Sequence, residues 1–128
     1  MAQNNKRMTR PDAVRRVKSY SSATGFVYQY YFYEVQKVRR GGSAGTEYVY
    51  MVSVDRKKVF PLRVLVRREG IARWGRAVGR ELTGTEEYAV AKMRLFDALD
   101  EIPEIESIQP ELAVDESNIE TLLAKLNL

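Results

Sequence analysis

The sequence predicts an α+β protein in which a three-stranded antiparallel sheet is followed by two helices that pack on one face of it. Three segments rich in aromatic and β-branched residues come first, and segments with helical periodicity follow them. The length of 128 residues is typical of one domain. We therefore expect a disordered basic N-terminus at 1–10, a single α+β domain at 11–100, and an acidic linker with a C-terminal helix at 101–128.

The strands are predicted at about 25–38, 46–54 and 59–67. The first holds six of the thirteen aromatic residues within eight positions, a composition typical of a strand. A glycine-rich loop at 39–45 follows it. Pro61 cannot donate a backbone hydrogen bond, so the third strand is expected at an edge of the sheet.

The even-numbered positions of these strands predict the core face. If Val38 pairs with Thr46, and Val54 with Phe60, one register brings nearly all rings and branched side chains to one face. That set comprises Phe26, Tyr28, Tyr30, Phe32, Val38, Tyr48, Tyr50, Val52, Val54, Phe60, Leu62, Val64 and Val66. The odd face mixes polar and apolar residues, which indicates a surface that meets a partner.

Helical periodicity and capping signals predict the remaining elements. A first helix is expected at about 69–79, ending at Gly79, and a second at about 85–100. The second opens with a capping box from Thr83 to Glu86. A short helix at about 117–126 should dock on the body or on a second subunit, because isolated helices of this length are marginal in water. Two helical turns are also expected at 11–18.

Composition excludes several kinds of chemistry. The chain has no histidine and no cysteine, which removes the commonest general base, the commonest metal ligand and the thiol nucleophile. The carboxylates fall in a helix start and a linker, where no catalytic set emerges, so we expect a non-catalytic protein without a cofactor or metal. No stretch reaches 18 apolar residues and no signal peptide is evident, which favours a cytoplasmic protein with no membrane contact.

Charge is divided unevenly along the chain. Residues 1–82 hold 18 Lys/Arg and 6 Asp/Glu, whereas residues 83–128 hold 3 and 11. A basic surface that binds an anionic partner explains this asymmetry. Mutual neutralisation of the two halves within the fold explains it as well, and the sequence leaves both explanations open.

The favoured function is a binding module for an anionic partner, with nucleic acid or another polyanion as the candidate. Arginine binds phosphate through two parallel hydrogen bonds, and exposed rings stack on unpaired bases. The predicted site residues are Arg39, Arg40, Arg56, Lys57, Lys58, Arg63, Arg67, Arg68, Arg73, Arg76, Arg80, Tyr31 and Tyr33. Two alternatives remain: a homodimeric structural or protein-interaction protein whose mixed sheet face is the interface, and a small-molecule-binding domain.

Overall fold

A computed structural model describes residues 16–128 and contains five strands and four helices in that range. The strands are β1 Lys18–Ser21, β2 Val27–Arg40, β3 Ser43–Val54, β4 Lys58–Arg67 and β5 Glu111–Val114. The helices are α1 Arg68–Val78, α2 Gly84–Glu101, α3 Ile105–Ile108 and α4 Ile119–Lys125. The expected disorder at 1–10 and most of the helix expected at 11–18 lie outside the described residues; residue 18 itself begins β1.

The α+β class is confirmed, but the prediction of three strands is wrong. The sheet has five strands in the order β1-β2-β3-β4-β5, antiparallel except for the parallel pair β4 and β5. The two additional strands have four residues each, and their sequences, KSYS and ELAV, carry little local strand signal. They form because β2 and β4 offer edges with which short segments can pair.

The expectation that β4 lies at an edge is also wrong over part of its length. β5 pairs with residues 63–66 of β4, which places this stretch inside the sheet. Pro61 precedes the paired stretch, so its missing N–H leaves no gap in the ladder with β5. The proline therefore lies just before the point on β4 at which β5 begins to pair, and not at the edge of the whole sheet.

The hairpin between β2 and β3 has a tighter turn than expected and contains a β-bulge in β2. Gly41 and Gly42 form its two-residue turn, both with positive φ (+56° and +81°), as a type I′ turn requires. Val38 consequently pairs with Gly45 rather than with Thr46. The register then shifts by one residue between Phe32 and Glu34, where Tyr33 is the extra residue.

The bulge decides which side chains share a face. Before it, Tyr30 pairs with Val52 and Phe32 with Tyr50, so even residues face even residues as predicted. After it, Lys37 pairs with Thr46, which moves Lys37 from the expected odd face to the even face. The second turn is also placed differently, since Phe60 pairs with Val52 rather than with Val54, but the shift of two residues keeps the expected parity.

The even face of the sheet is the core, as predicted. The buried residues on this face are Tyr28, Tyr30, Tyr48, Tyr50, Val52, Phe60, Leu62, Val64 and Val66, joined by Leu112 and Val114 of β5. Three expected members differ. Phe26 lies before β2 and is 53% exposed, and Phe32 lies at the margin, where it packs edge-on against Tyr88. Val38 pairs with Gly45 and so lies on the odd face, because the bulge reverses the alternation of β2.

The helices cover this face with the side chains that periodicity indicated. α1 contributes Trp74 and Ile71, and α2 contributes a buried stripe that includes Leu95 and Leu99. Thr83 and Glu86 form the predicted capping box at the start of α2. α4 buries Ile119, Leu122 and Leu123 in the same core, and the connection to it buries Ile105.

The odd face has its own buried residues outside this core cluster. Val49 and Leu65 are both largely buried there. Glu47 is fully buried and accepts hydrogen bonds from Gln36 Nε2 at 3.1 Å and from Arg63 Nη1 at 3.2 Å. A charged group at this depth needs such partners, because an isolated buried carboxylate is strongly unfavourable.

Candidate anion-binding site

The sheet separates the predicted basic residues into two groups at opposite ends. Arg39, Arg40, Arg67 and Arg68 lie at the end that carries the β2–β3 turn. Arg56, Lys57 and Lys58 lie at the β3–β4 turn. β3 joins these ends through 12 residues, which corresponds to about 35 Å at the usual rise per residue. The predicted cationic surface is therefore not one continuous patch.

One cleft gathers four of the chain's cations. It has a volume of about 570 Å³ and lies between the β2–β3 turn end of the sheet, α1, and the connection from α1 to α2. Lys37, Arg68, Arg76 and Arg80 line it, with Val66, Ile71 and Leu82 as apolar wall and Glu81 and Glu87 as the acidic members. We call it the cationic cleft.

Local sequence explains how α1 supplies its side of the cleft. Arg68, Ala72 and Arg76 recur every four residues and so lie along one face of the helix. Gly79 ends the helix with a φ of +80°, a conformation that glycine adopts without strain. The chain turns there and brings Arg80 back toward the same cleft.

Lys37 and Gly45 complete the sheet side. Lys37 reaches the even face because of the bulge, and its Nζ donates to Thr46 Oγ1 at 3.3 Å. A side chain at position 45 would collide with the backbone carbonyl oxygen of Val66. Only glycine therefore fits at this position between the strands.

The cations differ in how far the protein neutralises them. Arg80 lies 2.9 Å from Glu86 Oε1 and 5.1 Å over the ring of Trp74. The hydrogen bond from Arg80, together with the backbone N–H of Thr83, lowers the pKa of Glu86. Arg68 and Arg76, by contrast, have no carboxylate within 4.0 Å among residues 16–128.

Glu87, one of the two acidic residues of the cationic cleft, is held in place by a tyrosine of the sheet. Glu87 Oε1 accepts a hydrogen bond of 2.7 Å from the hydroxyl of Tyr48. Burial, and after it this hydrogen bond, raises the pKa of Tyr48, so the hydroxyl remains a donor over the whole neutral range. Glu87 is thereby tied to the sheet.

The other predicted residues lie outside this cleft. Arg63 is paired with Glu47 on the odd face, and Arg67 donates to Ser43 Oγ at 2.7 Å. Arg73 is exposed on α1 away from the cleft, and Tyr33 is the bulge residue, 45% exposed. Arg56, Lys57 and Lys58 remain at the far turn.

A second cleft lies on the odd face near that far turn, with a volume of about 440 Å³. It brings together two predicted residues, Tyr31 and Arg56. Gln29, Met51 and Ser53 form part of its lining. We call it the odd-face cleft.

Lys37 and Gln29 are the residues that sequence reasoning missed. The Gly41-Gly42 pair carried a signal for Lys37, because a two-residue turn fixes the pairing that places Lys37 opposite Thr46. No sequence signal distinguished Gln29 from other polar residues on the odd face.

Comparison with known proteins adds no assignment: no protein-family model, curated protein or solved structure matches the chain. None of the helices in the described part of the chain is long and apolar enough to cross a membrane. Between residues 16 and 128, no three acidic side chains group closely enough to hold a metal ion.

Proposed function

We propose that this protein is a non-catalytic binding module for a polyanion, with nucleic acid as the leading candidate, and that phosphates bind in the cationic cleft. One observation carries the proposal: Lys37, Arg68 and Arg76 line a single cleft, and within residues 16–128 neither arginine has a carboxylate partner.

The missing partners matter for affinity. An arginine that is already paired with a carboxylate must give up that pair before it binds phosphate. Arg68 and Arg76 keep their guanidinium donors available, and a phosphate can accept two parallel hydrogen bonds from each. Like charges gathered in one cleft also repel one another, so a bound anion relieves an unfavourable arrangement.

The surroundings suit a polymer rather than a single small anion. Lys37, Arg68, Arg76 and Arg80 are all exposed, so an extended chain of phosphates can reach them. Arg39 is exposed at the same end of the sheet and extends the basic surface beyond the cleft. Glu81 and Glu87 give the cleft an acidic side, which restricts where a phosphate chain can lie.

Fluorescence anisotropy with a labelled oligonucleotide tests the proposal. Binding should weaken steeply with salt, because each neutralised phosphate releases condensed counterions. The double variant Arg68→Ala/Arg76→Ala should bind more weakly, and the slope of log K against log salt should become shallower by about 2. The matched control is Lys57→Ala/Arg73→Ala, which removes the same charge outside the cleft.

Two results would contradict the proposal. If the protein does not bind the oligonucleotide at low salt, the proposed nucleic-acid binding is wrong. Equal losses in the two double variants show that net charge, and not the cationic cleft, governs the interaction.

A homodimer through the odd face is the second candidate. Val27 and Val59 point to it, because both are apolar side chains of this face that are about half exposed (43% and 54%). Light scattering after size exclusion measures the oligomer. The homodimer is supported if Val59→Glu abolishes the dimer and Val78→Glu leaves it intact. Val78 is a similarly exposed valine on α1. A monomer at micromolar concentration refutes it.

A further inference from the structure

We propose that the odd-face cleft is a second ligand site, distinct from the cationic cleft, and that it binds an adenine nucleotide. The base lies against Gln29 and Met51, and the phosphate reaches Arg56. The site is at the opposite end and on the opposite face of the sheet from the cationic cleft, so this proposal does not rest on polyanion binding.

The strand register builds the floor of this cleft in two rows. Ser19, Gln29 and Ser53 stand opposite one another on β1, β2 and β3, which aligns three polar side chains across the sheet. Two residues further along the strands, Tyr31 stands opposite Met51. A planar ring placed here has an apolar surface under its face and hydrogen-bonding groups along its edge.

Gln29 is the residue that points to a ligand. Its Oε1 is shielded from solvent and has no hydrogen-bond partner in the part of the chain that the structure describes. Buried polar atoms usually have a partner, and one without a partner calls for an explanation. The terminal bond of a glutamine side chain turns readily, so the amide can present both its oxygen and its nitrogen to a ligand in the cleft.

The amide selects adenine among the purines. It offers an acceptor and a donor side by side, and adenine presents the complementary donor N6 and acceptor N7. Guanine presents two acceptors on that edge, so the amide oxygen would remain without a partner. On this N7 edge, adenine therefore satisfies both atoms of the amide, and guanine only one.

Arg56 supplies the charge for the phosphate. It lies in the exposed β3–β4 turn, lines the cleft, and has no ion-pair partner within residues 16–128. The neighbouring charged groups of that turn are Asp55, Lys57 and Lys58, which give it a net positive charge. The cleft volume of about 440 Å³ falls within the range of small-molecule sites.

Isothermal titration calorimetry with AMP, GMP and ribose 5-phosphate tests the proposal. AMP should bind more tightly than GMP, and ribose 5-phosphate should bind weakest because it has no base. Gln29→Leu should weaken AMP binding roughly tenfold, the loss expected from one bidentate base contact. Arg56→Ala should weaken AMP and ribose 5-phosphate alike.

The control is Arg68→Ala/Arg76→Ala, which should bind AMP as the unmodified protein does. Thermal unfolding of each variant verifies that it is folded. No heat of binding at millimolar AMP, equal affinity for AMP and ribose 5-phosphate, or unchanged AMP affinity in Gln29→Leu would each overturn the proposal. Loss of AMP binding in the Arg68/Arg76 variant alone would place the nucleotide in the cationic cleft and would also overturn it.

Discussion

Replacing Tyr50 with phenylalanine should make the protein more stable. The Tyr50 side chain is fully buried in the core, and its hydroxyl has no hydrogen-bond partner within residues 16–128. Burial raises the pKa of this hydroxyl, in keeping with a site that disfavours the charged form. A buried polar group without a partner costs about 1–3 kcal/mol, and phenylalanine keeps the ring while removing that cost.

Tyr48→Phe is the matched control and should act in the opposite direction. Tyr48 lies two residues earlier on the same strand and the same face, but its hydroxyl donates to Glu87. Hydrogen bonds to charged groups contribute about 1.5–3 kcal/mol, and the half-buried position of Glu87 reduces this to about 1–2 kcal/mol. The two variants should therefore differ in stability by about 2–5 kcal/mol.

Urea and thermal unfolding measure this difference. For a chain of 128 residues, 1 kcal/mol corresponds to a shift in Tm of about 4 °C. Tyr50→Phe should melt several degrees above the unmodified protein, and Tyr48→Phe several degrees below it. If Tyr50→Phe is equally stable or less stable, a buried water or another group reaches the hydroxyl and the reasoning fails.

Three further outcomes follow from single contacts. Thr83→Ala removes the cap of α2 and should lower the unfolding free energy by about 1 kcal/mol in urea titrations, whereas Thr83→Ser should be nearly neutral. Gly45→Ala should destabilise the protein by more than any exposed alanine substitution, because its Cβ collides with the backbone of Val66; a fully stable variant would contradict this. Burial, together with a hydrogen bond to a carboxylate, raises the pKa of Tyr20 from its ordinary value near 10 to about 12. The folded state thus favours the protonated hydroxyl, so this stabilisation is complete below pH 10 and is lost between pH 10 and 12. Urea titrations across that window should show a shallower decline for Tyr20→Phe, and an unchanged decline would refute the assignment.

Much of the core was predictable because its signals are local. Alternation along β2, β3 and β4 identified the buried face, and the capping box at Thr83 marked the start of α2. β1 and β5 were not predictable in the same way. Segments of only four residues become strands only when a neighbouring strand offers its edge.

The candidate site was predictable only in part. Arginine content indicated an anionic partner, and Arg68, Arg76 and Arg80 do meet at one cleft. Lys37 joins them because the bulge reverses the side on which it projects, an effect that alternation alone cannot show. Arg63 is not a free cation, because it is paired with Glu47, which lies 16 residues earlier in the chain.

The sequence by itself determined the class of fold, the core face of the sheet and the positions of the main helices. These depend on periodicity and capping, which are properties of neighbouring residues. Only the tertiary structure decided which cations converge and which are neutralised, because those relations join distant segments. The register of β2 against β3, and the placement of α1 directly after β4, bring Lys37, Arg68 and Arg76 into one cleft.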